Sequence, residues 1–323
     1  MKKLLRVFII AVLTAALIAG VLIFERKQIV KAAVTIGATN ILGAPVRMDS
    51  VSLSESGASF SMEGFRVYNP GGFKKGVLAD IPVIDAEYDG SDVLSENVLR
   101  LKKLKIKVKT LLVIRNKEGV LNVDELRIVK DVMHTKMHID TLILTADKVV
   151  YKDYTKGEAP TVEGFDINIK QKVYKDITTA EQLGRKILSE ILAKTTIKDA
   201  AVLGAAAIAG LALAPPIGLP IAAAILIGGN DSVKADFSKS YGDVYNAARD
   251  AIKGIGTLKY ENKTKGVLSG SVKGGSIKIK MKKMGNKIHV TVSGRKIVMP
   301  RPQIASGVLF EMSRKLEGAE VAS

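Results

Sequence analysis

From Val7 to Phe24 the chain runs for 18 residues without a charge, entered past Lys2, Lys3 and Arg6 and left at Glu25-Arg26-Lys27. At about 1.5 Å of rise per residue such a run makes roughly 27 Å of helix, close to the ~30 Å of a bilayer's hydrocarbon core. Twelve of its residues are Leu, Ile, Val or Phe, and together they favour insertion by about 5 kcal/mol. A cleaved signal peptide has a shorter apolar core, about 7–15 residues, followed by a small-residue cleavage site. Here the run is longer and meets charge directly, so residues 1–27 are expected to form an uncleaved transmembrane anchor. Basic residues on the two flanks nearly balance, and the short leading segment tilts orientation toward an inside amino terminus and an exported body. The chain has no cysteine, which excludes a lipid-anchored secreted form, a disulfide framework and a thiolate metal site.

The remaining length leaves room for two domains of ordinary size. A net charge of +17, from 49 basic and 32 acidic residues, calls for an anionic partner. Nucleic-acid surfaces interleave Arg with aromatic rings that stack on bases. This chain has no Trp, 5% aromatics and a surplus carried mostly by Lys. Beside an anchor, membrane phospholipid is the expected partner and nucleic acid is not.

Beyond the anchor, residues 29–44 read as a helix stopped by Gly43 and Pro45. Strands follow: Val51 and Leu53 alternate with serines, and Phe60, Met62, Phe65 and Val67 alternate with a shift at Gly64 that reads as a bulge. Asn69-Pro70-Gly71-Gly72-Phe73 is a turn. Further strands are expected at residues 83–88, 104–114, 136–151 and 162–170. Leu104, Ile106, Val108, Thr110, Leu112 and Ile114 share one parity and Lys103, Lys105, Lys107 and Lys109 the other, so the lysines line one strand face. That face is either solvated or turned to lipid head groups. Thr179 opens a helix to about Lys194 with Leu183, Ile187, Ile191 and Leu192 as its apolar stripe.

Residues 200–229 carry no charge and are broken by Pro215, Pro216 and Pro220. Eleven Leu, Ile or Val residues supply about 4 kcal/mol of insertion, whereas a proline inside a helix costs about 3 kcal/mol. The central prolines favour an apolar helical hairpin, and a second crossing stays open. Residues 231–323 read as a separate small α+β module in the order β-α-β-β-β-α. Its middle strand sets Ile277, Ile279 and Met281 against Lys278, Lys280 and Lys282, a second candidate head-group strip.

Chemistry has little to work with. The chain lacks a Gly-x-Ser-x-Gly elbow, a phosphate-binding loop and a His-Glu-x-x-His pair. His134 and His138 are four apart, a metal spacing on a helix, but they fall where a loop enters a strand. His289 stands alone. Asp147, Asp153 and Asp166 show no acid and base spacing, and Gly254-Ile255-Gly256 lacks the context of a dinucleotide site. No catalytic residue, metal or cofactor is expected, and an enzyme is not.

Val51-Ser52-Leu53-Ser54 followed by Gly64-Phe65-Arg66-Val67-Tyr68-Asn69-Pro70-Gly71-Gly72-Phe73, behind an anchor, resembles the start of AsmA-like bacterial envelope proteins. Residues 162–169 and Asp176-Ile177-Thr178-Thr179-Ala180-Glu181 resemble the end of short members, so the likeness spans about residues 1–230. It implies an inner-membrane anchor, a periplasmic body with a β-groove-like sheet that holds lipid chains, and a role in outer-membrane lipid homeostasis. This chain is short for the group, so it has fewer strands than a bridge across the envelope needs. The last module resembles a small bacterial domain of unknown function often carried by lipoproteins. Two functions are therefore carried forward: a membrane-anchored lipid-handling envelope protein, or a non-enzymatic structural adaptor whose basic faces hold a protein partner or the membrane.

Overall fold

The computed structural model describes residues 28, 30–54, 58–88, 94–95, 98–130, 136–197, 199–200, 232–297 and 299–318. The fold is α+β, built on two sheets. The first contains β1 (Val46–Arg47), β2 (Ser50–Leu53), β3 (Ser59–Tyr68), β4 (Val77–Glu87), β5 (Leu94–Ser95), β6 (Val98–Arg115), β7 (Lys136–Asp153) and β8 (Thr161–Thr179). Its order is β1-β3-β4-β6-β7-β8, with β2 also on β3 and β5 on β6. All these pairs are antiparallel except β6 with β7. A parallel pair needs a crossover, and this one carries α2 (Arg127–Lys130) and buries Leu121, Val123, Leu126, Ile128 and Val129. The anchor expected at Val7–Phe24 and the hairpin expected in the apolar run lie outside the described residues, apart from buried Ala200. Among the described residues no helix is long and apolar enough to cross a membrane.

Three helices close one face of this sheet. The chain enters through α1, residues 30–42, which lays Val30, Val34, Ala38, Ile41 and Leu42 on the core. Gly43 ends it at φ +67, a left-handed conformation that costs other residues steric strain. The third helix, α3 (Ala180–Leu192), is capped as expected: the Gln182 amide donates to Thr179 Oγ1 at 3.1 Å and the Thr178 amide donates to Gln182 Oε1 at 2.8 Å. Its fully buried stripe is Ala180, Leu188, Ile191 and Leu192, whereas Leu183 and Ile187 are only half-buried. The stripe expected from the sequence is thus rotated, because the helix packs partly on β8 and partly on α2.

The strands run longer than the pattern suggested, and one face reading needs correction. Leu104, Ile106 and Val108 of β6 enter the first core, but so do Leu111 and Val113; Leu112 and Ile114 belong to a second core. The same change of parity separates Met62 from Phe65 in β3 and Ala146 from Val149 in β7. In β3 it falls at Gly64, whose φ is +61, but the register with β1, β2 and β4 runs unbroken through that residue, so the bulge expected there is absent and the irregularity lies between Val67 and Tyr68. Between β7 and β8 the change coincides with register shifts around Ala146, whereas β6 keeps one register with β4 and with β7; beyond the change the far end of the sheet carries a second buried face.

That end carries the second unit. Its sheet has the order β10-β11-β12-β13-β14, with β9 also on β13, from β9 (Ser232–Phe237), β10 (Thr257–Asn262), β11 (Val267–Val272), β12 (Gly275–Met284), β13 (Lys287–Lys296) and β14 (Met299–Pro300). One face is covered by α4 (Tyr241–Ile255) and α5 (Pro302–Gly318). The expected β-α-β-β-β-α order thus misses β10, an exposed edge strand with little apolar alternation, and the short β14. Helix α5 lies against both sheets. Its Gly307 approaches β8 so closely that a Cβ there would stand 2.5 Å from the Val162 carbonyl oxygen. Leu112, Ile114, Val150, Tyr154 and Val162 of the first sheet share a core with Ile304, Val308 and Leu309 of α5.

Candidate functional site

The two lysine strips read from the sequence end in different electrostatic settings. On β6, Lys103, Lys105, Lys107 and Lys109 line the outer face of the first sheet, opposite its buried residues. The antiparallel register sets Glu87 beside Lys103 and Asp85 beside Lys105. Lys103 Nζ reaches Glu87 at 2.8 Å, and Lys105 and Lys109 stand 3.9 and 3.8 Å from Glu87 and Asp80. The hydrogen bond from Lys103 holds the Glu87 carboxyl below its ordinary range. Asp147 also lies in the field of Lys107 and Lys109, although burial raises its pKa. This strip is matched by carboxylates.

Lys278, Lys280 and Lys282 on β12 project from the face that α4 and α5 leave open. Their cross-strand neighbours on β13 are Ser293, Thr291 and His289, and Lys234 on β9 lies opposite Thr291. The carboxylate on this face, Asp236, is taken up by His289 at 2.7 Å. Among the described residues none of these four lysines has a carboxylate partner. Alternation alone made the strips look equivalent; only strand register, which sets their neighbours, tells them apart.

Buried charge lies elsewhere, and the sequence did not signal it. Past the register shifts of β7 with β8, Lys148 and Lys152 share a parity with Val150, which belongs to the second core. Lys148 pairs with Asp166 at 3.8 Å, and Lys152 with Glu311 of α5 at 2.5 Å. The Lys152 and Glu311 side chains are 8% and 5% exposed. Burial pushes the Lys152 ammonium down, and Glu311 opposes it. Burial works against the Glu311 carboxylate as well, yet Lys152 and Arg314 hold it below its ordinary 4.5. Arg314, 2.9 Å from Glu311, is 58% exposed. This arrangement locks α5 to β7 and positions no reactive group toward a cavity.

The expected non-catalytic residues are dispersed. His138 lies on β7 beside Asp140 at 3.0 Å, His289 is on the second sheet, and His134 is outside the described residues. Asp153 accepts from the Thr155 amide and hydroxyl at 2.9 and 2.6 Å. Among the described residues no three His, Asp or Glu side chains gather as metal ligands. A surface cavity of about 310 Å³ is lined by Ser52, Ser54, Ser59, Ser61, Asp85 and Glu87 with Leu53, Phe60 and Ala86. Another, of about 280 Å³, lies between Phe73, Lys74, Ile114, Lys117, Tyr154 and Glu158. Both are open and mixed in polarity. The chain matches no protein-family model and no curated protein.

Proposed function

We propose that this chain is a membrane-anchored adaptor without catalytic activity, carried on the bacterial inner membrane with both folded units on its periplasmic side. The observation that carries the reading is that the apolar face of the eight-stranded sheet is occupied by the chain's own α1, α2 and α3. A groove holding acyl chains would need that face, and of the cavities described above one is rimmed by serines and carboxylates and the other by lysines and glutamates. Sharing of one core by the two units also supports it. Surfaces in van der Waals contact leave no room for a bilayer between them, which supports placing residues 200 and 232 on one side of the membrane. The charge surplus of +17 then serves to hold an anionic lipid surface or an acidic envelope protein.

Native mass spectrometry of gently solubilised protein tests the proposal. The adaptor reading expects the bare chain. Phospholipid retained in stoichiometric amount would overturn it in favour of lipid handling in outer-membrane homeostasis, the role implied by the AsmA-like resemblance.

A further inference from the structure

The hairpin joining β13 to β14 ends in two large apolar side chains that nothing covers among the described residues: Ile297 is 90% exposed and Met299 65%. Ile297 also has φ +59, a left-handed conformation that a β-branched residue adopts only under strain. The hairpin base is pinned, since the Arg301 amide donates to the Gly294 carbonyl at 2.8 Å and Lys296 pairs with Met299 across the ladder. An apolar tip is thus held outward by a fixed frame. Exposed Lys296 and Arg301 flank it, neither with a carboxylate partner among the described residues. The open face bearing Lys278 adjoins it through Ser293, three residues before Lys296.

We propose that this tip docks into an anionic phospholipid surface, with Ile297 and Met299 entering the interfacial layer and Lys296 and Arg301 meeting phosphates. Aliphatic side chains inside a basic ring match a bilayer boundary, apolar below and anionic above. Nucleic acid fits less well, because the tip offers no ring on which a base could stack. The inference rests on the membrane placement proposed above and adds a second, charge-dependent contact to the anchor. Each basic residue near an anionic surface is worth roughly five-fold in binding, and each buried aliphatic side chain about tenfold.

The full chain has no cysteine, so Met299→Cys takes a single environment-sensitive fluorophore. The labelled protein is reconstituted into liposomes of zwitterionic lipid, alone or with added anionic phospholipid. Docking predicts blue-shifted emission and quenching by spin-labelled lipid in the anionic liposomes, reversed by high salt. Lys296→Gln with Arg301→Gln should lower the docked-to-free ratio about 25-fold. A label at Lys253 on the helix-covered side should stay in water. A probe that remains aqueous in anionic liposomes, one buried equally in both lipids, or one shielded by an RNA oligonucleotide rather than by lipid would overturn the docking. Protein that does not float with liposomes would remove the membrane placement itself, an outcome distinct from a floating protein with an aqueous tip.

Discussion

Replacing Glu311 with Gln keeps the volume of the side chain and removes its charge, leaving the Lys152 ammonium 8% exposed with no counter-ion but the repelling Arg314. Removing one partner of a buried ion pair costs about 3–5 kcal/mol. An upper bound follows from titration, since the buried lysine can instead give up its proton. From an ordinary pKa of 10.5 that costs about 5 kcal/mol at pH 7, at about 1.4 kcal/mol per unit. The expected loss is therefore about 3–5 kcal/mol in urea unfolding of the detergent-solubilised protein at pH 7. Hydrogen exchange should rise first in α5 and β8. The pH dependence has a fixed sign. A lysine whose folded-state pKa lies below 10.5 binds fewer protons folded than unfolded, so Glu311→Gln should regain stability as pH rises from neutral toward 10.5. In the unmutated protein the depressed Glu311 carboxyl contributes stability above about pH 4.5 that is lost as pH falls through its folded pKa. Lys152→Met with Glu311→Leu removes both charges and should return stability to within about 1 kcal/mol of the original. Arg314, already exposed, contributes less than about 1 kcal/mol through its own pair. A single variant as stable as the parent, or a double variant as damaged as the single one, would refute the reasoning.

Gly307→Ala should cost about 1–3 kcal/mol because its methyl meets the Val162 backbone carbonyl. Ser306→Ala, which removes a buried hydroxyl lacking a partner among the described residues, should instead be neutral or stabilising by about 1 kcal/mol; thermal unfolding separates the two signs. Thr179→Ala removes the acceptor for the Gln182 amide and should destabilise α3 by about 1 kcal/mol, read as faster exchange in its first turn. Single cysteines at Lys194 and Lys315, both exposed, should react with a membrane-impermeant maleimide from the same side of sealed vesicles. Reaction from opposite sides would show a crossing between residues 200 and 232 and break the shared-core argument.

What could be read without coordinates was local. The Gly43 stop and the Thr179 cap each depend on residues within a few positions of one another, and each is present, whereas the bulge expected at Gly64 is not: only its positive φ is found. Element type was legible wherever one face met one core. The strand at residues 257–262 was not, because an edge strand with both faces partly wet has no alternation to show.

Strand parity across β6 was decided only by the tertiary fold. A period of two assigns faces correctly until the parity reverses, and between Val108 and Leu111 the reversal carries no shift of register with β4 or β7, so it is visible only in the cores on the two faces. The neutral character of one lysine strip and the unpaired character of the other follow from register, which brings Glu87, Asp85 and Asp80 to β6 and hydroxyls to β12. Lys152 and Glu311 are separated by more than 150 positions and meet because α5 docks on the far end of the first sheet. Hydrophobic period and capping chemistry act over one or two turns of chain, so sequence alone could determine most of the elements and the excess of positive charge. Which charges are cancelled, buried or left open depends on distances between elements that packing alone defines.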